Sequence, residues 1–409
     1  MEYISRHLEN RILEISKSFS AILLTGPRQS GKTTMLRRLA EKENIGRSYV
    51  TLDDLSERDI AKNDPNLFLQ LHKPPVLIDE VQYAPELFSY IKIHIDEHHN
   101  PGDFWMVGSQ TLPQMRGVQE TLVGRVALLH MLPLSQREIT GAPCVPFDTN
   151  LDRLIAEQNQ LSPVSVPELF ARLWQGSMPG VVSGQFPDRA AFYSSFLSSN
   201  MEHDARELLG RMDALKFNRF VAAVAARCSQ PINYSALAED VEIDIQISKA
   251  WIKVLEKLGI IFLLYPYSNS VLKRTVKAPK VFFYDTGLVC YLTRWSSPEV
   301  AMSGAQSQSL LENYAVSEIV KSYRNAGLEP FLYYYRDRDA KEIDVILECD
   351  GKLCPQEIKM TATPDKRLTR VFSVIDKSPL QRGTGAVLCL ADHLSAFDHE
   401  NLIVPIWMI

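Results

Sequence analysis

The sequence is poor in cysteine, and what it has is scattered. Cys144, Cys228, Cys290, Cys349, Cys354 and Cys389 form no C-x-x-C pair and have no histidine set beside them. That argues against a zinc ribbon or a disulfide framework and suits a reducing cytoplasm. Also missing is any run approaching about 18 apolar residues, so no membrane-spanning helix and no membrane partner are expected. The segment Met1 to Ser20 is polar and charged, without the apolar centre of a signal peptide. Positive charge is not in excess: 44 Lys and Arg stand against 49 Asp and Glu, a net charge of −5. Any surface for nucleic acid must therefore be local.

What is present is a chain of 409 residues with 45% hydrophobic and 23% charged residues. Such a composition is that of a globular protein, and the length exceeds one ordinary core, so two or three domains are expected. The most informative stretch is Gly26-Pro27-Arg28-Gln29-Ser30-Gly31-Lys32-Thr33, preceded by the apolar Ala21-Ile22-Leu23-Leu24 and followed by the helical-looking Thr34-Met35-Leu36-Arg37. G-x-x-x-x-G-K-[ST] between a strand and a helix is the setting of a phosphate-binding loop. Its glycines let the backbone curl with N–H groups turned inward, and the helix start adds a positive dipole end. Residues 26–34 are thus candidate ATP contacts, with Lys32 reaching the β- and γ-phosphates and Thr33 offering its hydroxyl to Mg²⁺. An ordinary glycine turn is the plain alternative, which the flanking strand and helix disfavour.

Val76-Leu77-Ile78-Asp79-Glu80 reads as a short buried strand ending in two acids. Asp79 can support the metal ion, and Glu80 is placed to polarise the attacking water. Asp103-Phe104-Trp105-Met106-Val107-Gly108-Ser109-Gln110 reads as a further strand, whose carboxyl end would lie beside the loop in a parallel sheet. Ser109 or Gln110 could then sense the γ-phosphate, or could simply cap the strand. Arg125 is a candidate for stabilising charge from a neighbouring subunit, with a surface arginine in a turn as its plain reading.

The ordered set G-P-R-Q-S-G-K-T, V-L-I-D-E-V-Q, M-V-G-S-Q and L-V-G-R-V-A-L-L-H-M-L-P-L-S resembles a large group of bacterial and archaeal AAA+-type ATPases that carry a C-terminal domain of unknown function. The resemblance implies an ATPase core followed by a helical region, here about 148 to 206, and it allows a homo-oligomer such as a ring.

Residues 232 to 264 read as helix, turn, helix, strand, the layout of a winged helix-turn-helix. The longer helix is expected over Ile247 to Leu258, with Ile247, Trp251, Val254, Leu255 and Leu258 on its apolar face. Lys249, Lys253 and Lys257 recur every fourth residue along one side, and Lys273, Arg274, Lys277 and Lys280 crowd the expected wing. Between 245 and 285 there are seven Lys or Arg against Glu256 and Asp285. A local basic excess in an acidic chain is the footprint expected for duplex DNA, or else a solvated lysine face on a packing helix. The segment Lys277 to Leu288 also matches the family pattern and reads as a strand and turn.

In the last third, Asp350-Gly351 between alternating strands signals a two-residue hairpin turn. Paired residues must then sum to 701, which sets Asp344 opposite Glu357 and Glu342 opposite Lys359, all on one face. Directly opposed carboxylates, with β-carbons about 4.5–5.5 Å apart, repel each other and call for a cation. A divalent metal held by Asp344 and Glu357 beside Lys359 is the composition of a phosphodiesterase site, and the spacing resembles the PD-(D/E)xK nuclease signature. Glu312, on an expected helix, resembles the upstream acid of such folds. An exposed cross-strand ion pair is the plain alternative, and Pro355 suggests an edge strand whose register could slip.

The expectation is therefore an α/β chain in three parts: a P-loop AAA+-type ATPase domain over 1–205, a winged helix-turn-helix over 206–300, and an α/β PD-(D/E)xK-like domain over 301–409. It is expected to bind and hydrolyse ATP with Mg²⁺ in the cytoplasm, acting on or near DNA. The alternatives are a nucleotide-switched protein-interaction module and an ATP-gated, metal-dependent nuclease.

Overall fold

A computed structural model describes residues 3–108, 124–210, 212–267, 278–337 and 341–409. Ser109, Gln110, Lys273, Arg274 and Lys277 lie outside the described residues. Five short apolar runs make the first sheet: β1 (Ala21–Thr25), β2 (Ser48–Thr51), β3 (Val76–Asp79), β4 (Phe104–Val107) and β5 (Val126–His130). Their order is β2-β3-β4-β1-β5 and every pairing is parallel. All side chains of β1, β3 and β4 are buried, as expected of parallel strands covered on both faces. On one face α1 (Leu8–Ile15) and α2 (Lys32–Glu43) pack Leu8, Ile12, Leu36 and Leu39 against Ile22, Leu24 and Trp105. On the other, Phe68, Phe88 and Ile91 cover Leu23, Ile78 and Met106. Only β4 separates β1 from β3, so the loop after β1 and the acids after β3 meet at the carboxyl edge of the sheet.

Beyond the sheet come α3 (Gln136–Thr140), α4 (Val166–Gln175), α5 (Glu202–Leu209), α6 (Ala214–Ala225), α7 (Tyr234–Val241) and α8 (Ile245–Lys257). Two antiparallel strands follow, β6 (Ile261–Leu264) and β7 (Lys280–Phe283). Helix α8 starts two residues before the expected Ile247, capped by the Asp244 carboxylate accepting from the Gln246 N–H at 2.6 Å. It buries Ser248, Trp251, Ile252, Val254 and Leu255. Ile247, expected on the apolar face, is exposed, because Ser248 occupies the inward position.

After α9 (Thr286–Leu292), the long α10 (Ser307–Asn325) backs a mixed sheet of β8 (Leu332–Arg336), β9 (Glu342–Cys349), β10 (Lys352–Lys359), β11 (Gln381–Arg382), β12 (Gly385–Cys389), β13 (Ser395–Ala396) and β14 (Asn401–Pro405). Asp350 and Gly351 have φ of 49° and 71°, the left-handed pair that a tight hairpin turn demands. The β9–β10 register runs from Lys352↔Cys349 to Gln356↔Val345, the pairing set by the turn. Pro355 neither slips it nor sits on an edge. Its parallel neighbour changes from β11, which pairs at Lys352 and Leu353, to β12, which pairs from Gln356 onward. Its missing N–H falls in that gap.

One continuous apolar core, from Phe147 to Ile409, crosses positions 205 and 300. It joins Phe170, Phe220, Trp251, Phe282, Leu311 and Val345, so the helical region packs with the two later segments.

Candidate functional site

At Gly26 φ is 144°, and a β-carbon there would meet the Met131 carbonyl oxygen at 2.1 Å. Only glycine fits. The loop is braced from within by the Ser30 hydroxyl donating to the Pro27 carbonyl at 2.8 Å. It is braced from outside by Arg6, a buried residue whose role the sequence did not reveal. Arg6 donates to the Ser30 carbonyl at 2.8 Å, the Leu132 carbonyl at 2.7 Å and the Glu138 carboxylate at 2.9 Å. Glu138 also closes a capping box on α3 with Ser135. Lys32 is buried, with Nζ 2.9 Å from both the Gly26 and Pro27 carbonyls. Burial lowers it to about 8, against the pull of Glu80 and Asp79. A desolvated ammonium inside the loop is suited to a phosphate, whose charge would restore its proton affinity.

The Thr33 hydroxyl donates to the Asp79 carboxylate at 3.1 Å, and the Tyr49 hydroxyl donates to its other oxygen at 3.1 Å. A hydroxyl and a carboxylate, both hard oxygen donors at one point on the loop, suit Mg²⁺. The next residue, Glu80, has φ 54° and ψ 41°. A left-handed non-glycine backbone costs roughly 1–3 kcal/mol. Its carboxylate accepts from Gln82, and burial raises both Asp79 and Glu80 above the usual carboxylate range. That raised proton affinity suits Glu80 to a base.

A cleft of about 670 Å³ opens over Gln29, Ser30, Gly31, Thr33 and Thr34. Tyr3, Met131, Leu134, Pro179 and Phe186 also line it and give it an apolar surface. Arg125 is not in this site. It precedes β5, whose Val126 pairs with Ala21 at the amino end of β1, so it lies across the sheet from its own loop. There it ion-pairs with Asp96 at 2.5 Å.

The C-terminal acids do converge. Lys359 Nζ stands 2.8 Å from Asp344 and 2.7 Å from Glu357. Asp344 also accepts from the Ile358 N–H at 2.9 Å. A second lysine joins them: Lys280, counted by sequence with the basic wing, is 2% exposed on its side chain and lies 2.9 Å from Glu312 and 2.7 Å from Glu342. The cation that the opposed carboxylates require is thus supplied by lysine. Each of Glu312, Glu342, Asp344 and Glu357 already faces an ammonium, and among the described residues no three carboxylate, histidine or cysteine groups are placed to hold a metal. Asp344, Glu357 and Lys359, expected together, do meet, and among the described residues Glu357 Oε1 is buried without a hydrogen-bond partner. Burial and the neighbouring Asp344 raise Glu312 to about 7 and Glu357 to about 8, whereas Lys359 and Lys280 hold Asp344 low despite its burial. The cluster borders a cleft of about 900 Å³, also lined by Asn233, Tyr234 and Arg336. Removing Lys280 from the basic footprint leaves, among the described residues, Lys249, Lys253 and Lys257, all exposed along α8.

Comparison with known proteins matches residues 18–140 to a family described as an AAA domain. Residues 18–140 are thus similar to an AAA domain, and they include the phosphate-binding loop and the parallel strands that carry it. Residues 166–299 and 308–409 of the same chain match two domains of unknown function, DUF8612 and DUF4143. A protein of Mycobacterium tuberculosis, described as uncharacterized, is 25% identical over 388 residues, covering 94% of this chain and 79% of that protein. The Fe(3+) ions import ATP-binding protein FbpC of Vibrio cholerae is 30% identical over 158 residues, covering 36% of this chain and 44% of that protein. Among solved structures, the Walker-type ATPase of Pyrococcus abyssi has 16% identity and a TM-score of 0.39, covering 71% of this chain and 96% of that one. The RuvB Holliday junction branch migration motor of Thermotoga maritima has 15% identity and a TM-score of 0.33, covering 63% and 89%. Among the described residues no helix is long and apolar enough to cross a membrane.

Proposed function

We propose that this AAA-type chain binds and hydrolyses ATP and uses the cycle to change how its basic middle segment engages duplex DNA. The observation that carries the ATPase reading is the meeting of Thr33 and Asp79 at 3.1 Å, with Glu80 next in sequence. Two distant motifs converge there on one loop, as nucleotide hydrolysis needs. In this reading residues 26–34 wrap the phosphates and Lys32 neutralises them. Thr33 and Asp79 would hold Mg²⁺, which would neutralise phosphate charge when bound. Glu80 takes the proton of the attacking water. The apolar wall of the cleft receives the base and excludes solvent from it.

The DNA reading rests on Lys249, Lys253 and Lys257, which form an exposed stripe on α8 in an otherwise acidic chain. We read α6 to α8 with β6 and β7 as a winged helix-turn-helix. The acid–lysine cluster we read as a joint on a nuclease-like scaffold, with its lysines where a nuclease would use a metal. The test is hydrolysis of ATP by the purified chain, with duplex DNA added across a salt series. ATP turnover altered by DNA, with binding that weakens steeply as salt rises, supports the whole reading. Turnover indifferent to DNA, with no binding at low salt, would leave a nucleotide switch for protein partners.

A further inference from the structure

We infer that Lys280 is a built-in substitute for a divalent metal ion: by standing between Glu312 and Asp344, the middle segment closes a cation site that α10 and the β9–β10 hairpin form between them. The inference rests on the reading of this cluster as a nuclease-like scaffold and names the residue that controls it.

The acids come from two places, Glu312 from α10 and Glu342, Asp344 and Glu357 from the hairpin. Asp344 uses its two oxygens differently. Its Oδ2 meets Lys359 of the same hairpin at 2.8 Å and accepts from the Ile358 N–H at 2.9 Å. Its Oδ1 faces Lys280 at 4.0 Å. Lys280 Nζ is at the same time 2.9 Å from Glu312 Oε1. One ammonium therefore fills the gap between a helix carboxylate and a strand carboxylate. With it there, no three acids among the described residues are placed to hold a metal. Lys359 belongs to the strand that carries Glu357, whereas Lys280 is brought in by β7.

Two observations point to a cation beyond a plain ion pair. Glu357 is 5% exposed and its Oε1 is buried without a hydrogen-bond partner, although its Oε2 meets Lys359 at 2.7 Å. An unpaired carboxylate oxygen is costly in the interior, and the two lysines leave this one unmet. Glu342, in contrast, has a second cation in Arg336 at 3.8 Å. Withdrawing Lys280 would leave Glu342 with Arg336, and would leave Glu312, Asp344 and Glu357 to share Lys359. Carboxylate oxygens in excess over ammonium are the donor set that Mg²⁺ or Mn²⁺ takes.

The plug is also held by contacts other than its charge. The Asn313 side chain bonds both the N–H and the carbonyl of Phe283, at 2.7 and 2.9 Å, tying β7 to α10. On the other side the Tyr334 hydroxyl donates to the Ala278 carbonyl at 2.7 Å, tying the approach to β7 to β8. Opening the site therefore requires β7 to part from both.

The experiment measures Mn²⁺ binding to the nucleotide-free full chain through the loss of the free ion's electron paramagnetic resonance signal. Wild type, Lys280→Met and Lys280→Gln are compared, each with and without Asp344→Asn, and melting is followed with and without Mn²⁺. Lys280→Gln keeps a hydrogen-bonding side chain in the gap, which guards against Lys280→Met failing to fold. Any binding at the phosphate loop is common to all six chains and cancels. Both Lys280 variants should hold one more Mn²⁺ per chain than wild type, and Mn²⁺ should raise their melting temperatures by more than the wild type's. Adding Asp344→Asn should abolish both gains. Wild-type binding that Asp344→Asn alone removes would overturn the inference, because the site would be open with Lys280 in place; the nuclease-like scaffold would survive that result. No additional ion in either Lys280 variant would overturn the inference and the scaffold reading together.

Discussion

Lys280 on β7 and Glu312 on α10 meet at 2.9 Å across 32 positions of chain, and with Glu342 at 2.7 Å they join the middle segment to the last sheet. The same strand is pinned to the same helix by the Asn313 side chain, which accepts from the Phe283 N–H at 2.7 Å and donates to its carbonyl at 2.9 Å. This junction is built as a fixed connection.

Replacing Lys280 with Met would leave the buried Glu312 carboxylate and the partly exposed Glu342 carboxylate short of this cation. Breaking a buried ion pair from one side costs about 3–5 kcal/mol. Chemical denaturation should show a loss of that order, and adding Glu312→Gln should recover part of it. A loss below about 1 kcal/mol would mean the lysine behaves as an exposed pair.

Glu357 gives a pH dependence of definite sign. Its folded value of about 8 lies above the usual 4.5, so the folded state holds the proton more tightly than the unfolded one. The contribution is favourable below the unfolded value and is lost as pH rises through the folded one, between about 4.5 and 8. Glu357→Gln, which keeps the neutral form, should therefore melt close to wild type at pH 5 and gain on it steadily toward pH 8.5. A gap that narrows with rising pH would contradict this.

Lys32 supplies a second dependence. Its ammonium, lowered to about 8 by burial, is the form that neutralises phosphate. Affinity of the free chain for an ATP analogue, measured by fluorescence, should weaken as pH rises past about 8, and Lys32→Ala should be weak throughout.

If α8 lies against DNA, changing Lys249, Lys253 and Lys257 to Ala removes three phosphate contacts. The slope of log affinity against log salt should then fall by about 2.7, at about 0.9 per contact. An unchanged slope would send the lysine stripe back to being a solvated face.

Much of the ATP site was legible because it is written in contiguous runs. The loop and the Asp79-Glu80 pair each need only their own strand and turn to be recognised. The β9–β10 register was equally readable, since Asp350-Gly351 admits one turn and one pairing follows. Long-range partners were not readable. Lys280 counts as a basic wing residue until folding brings Glu312 and Glu342 to it, and nothing near Arg6 announces Glu138. Ile247 failed for a local reason: α8 begins at Ile245 under its Asp244 cap, and its buried stripe passes through Ser248 instead. Arg125 stands at the amino end of the sheet, away from its own loop, a placement that leaves it the neighbouring-subunit role expected of it.

The central claim is hydrolysis of ATP with Glu80 as the base, and the most direct measurement is turnover by wild type beside Glu80→Gln, together with ATP retention by each. General-base catalysis contributes about 10²–10⁴-fold. The account predicts a wild type that turns over and a Glu80→Gln variant that holds ATP with undiminished affinity while losing at least about 100-fold in rate. Parental turnover in Glu80→Gln would contradict it.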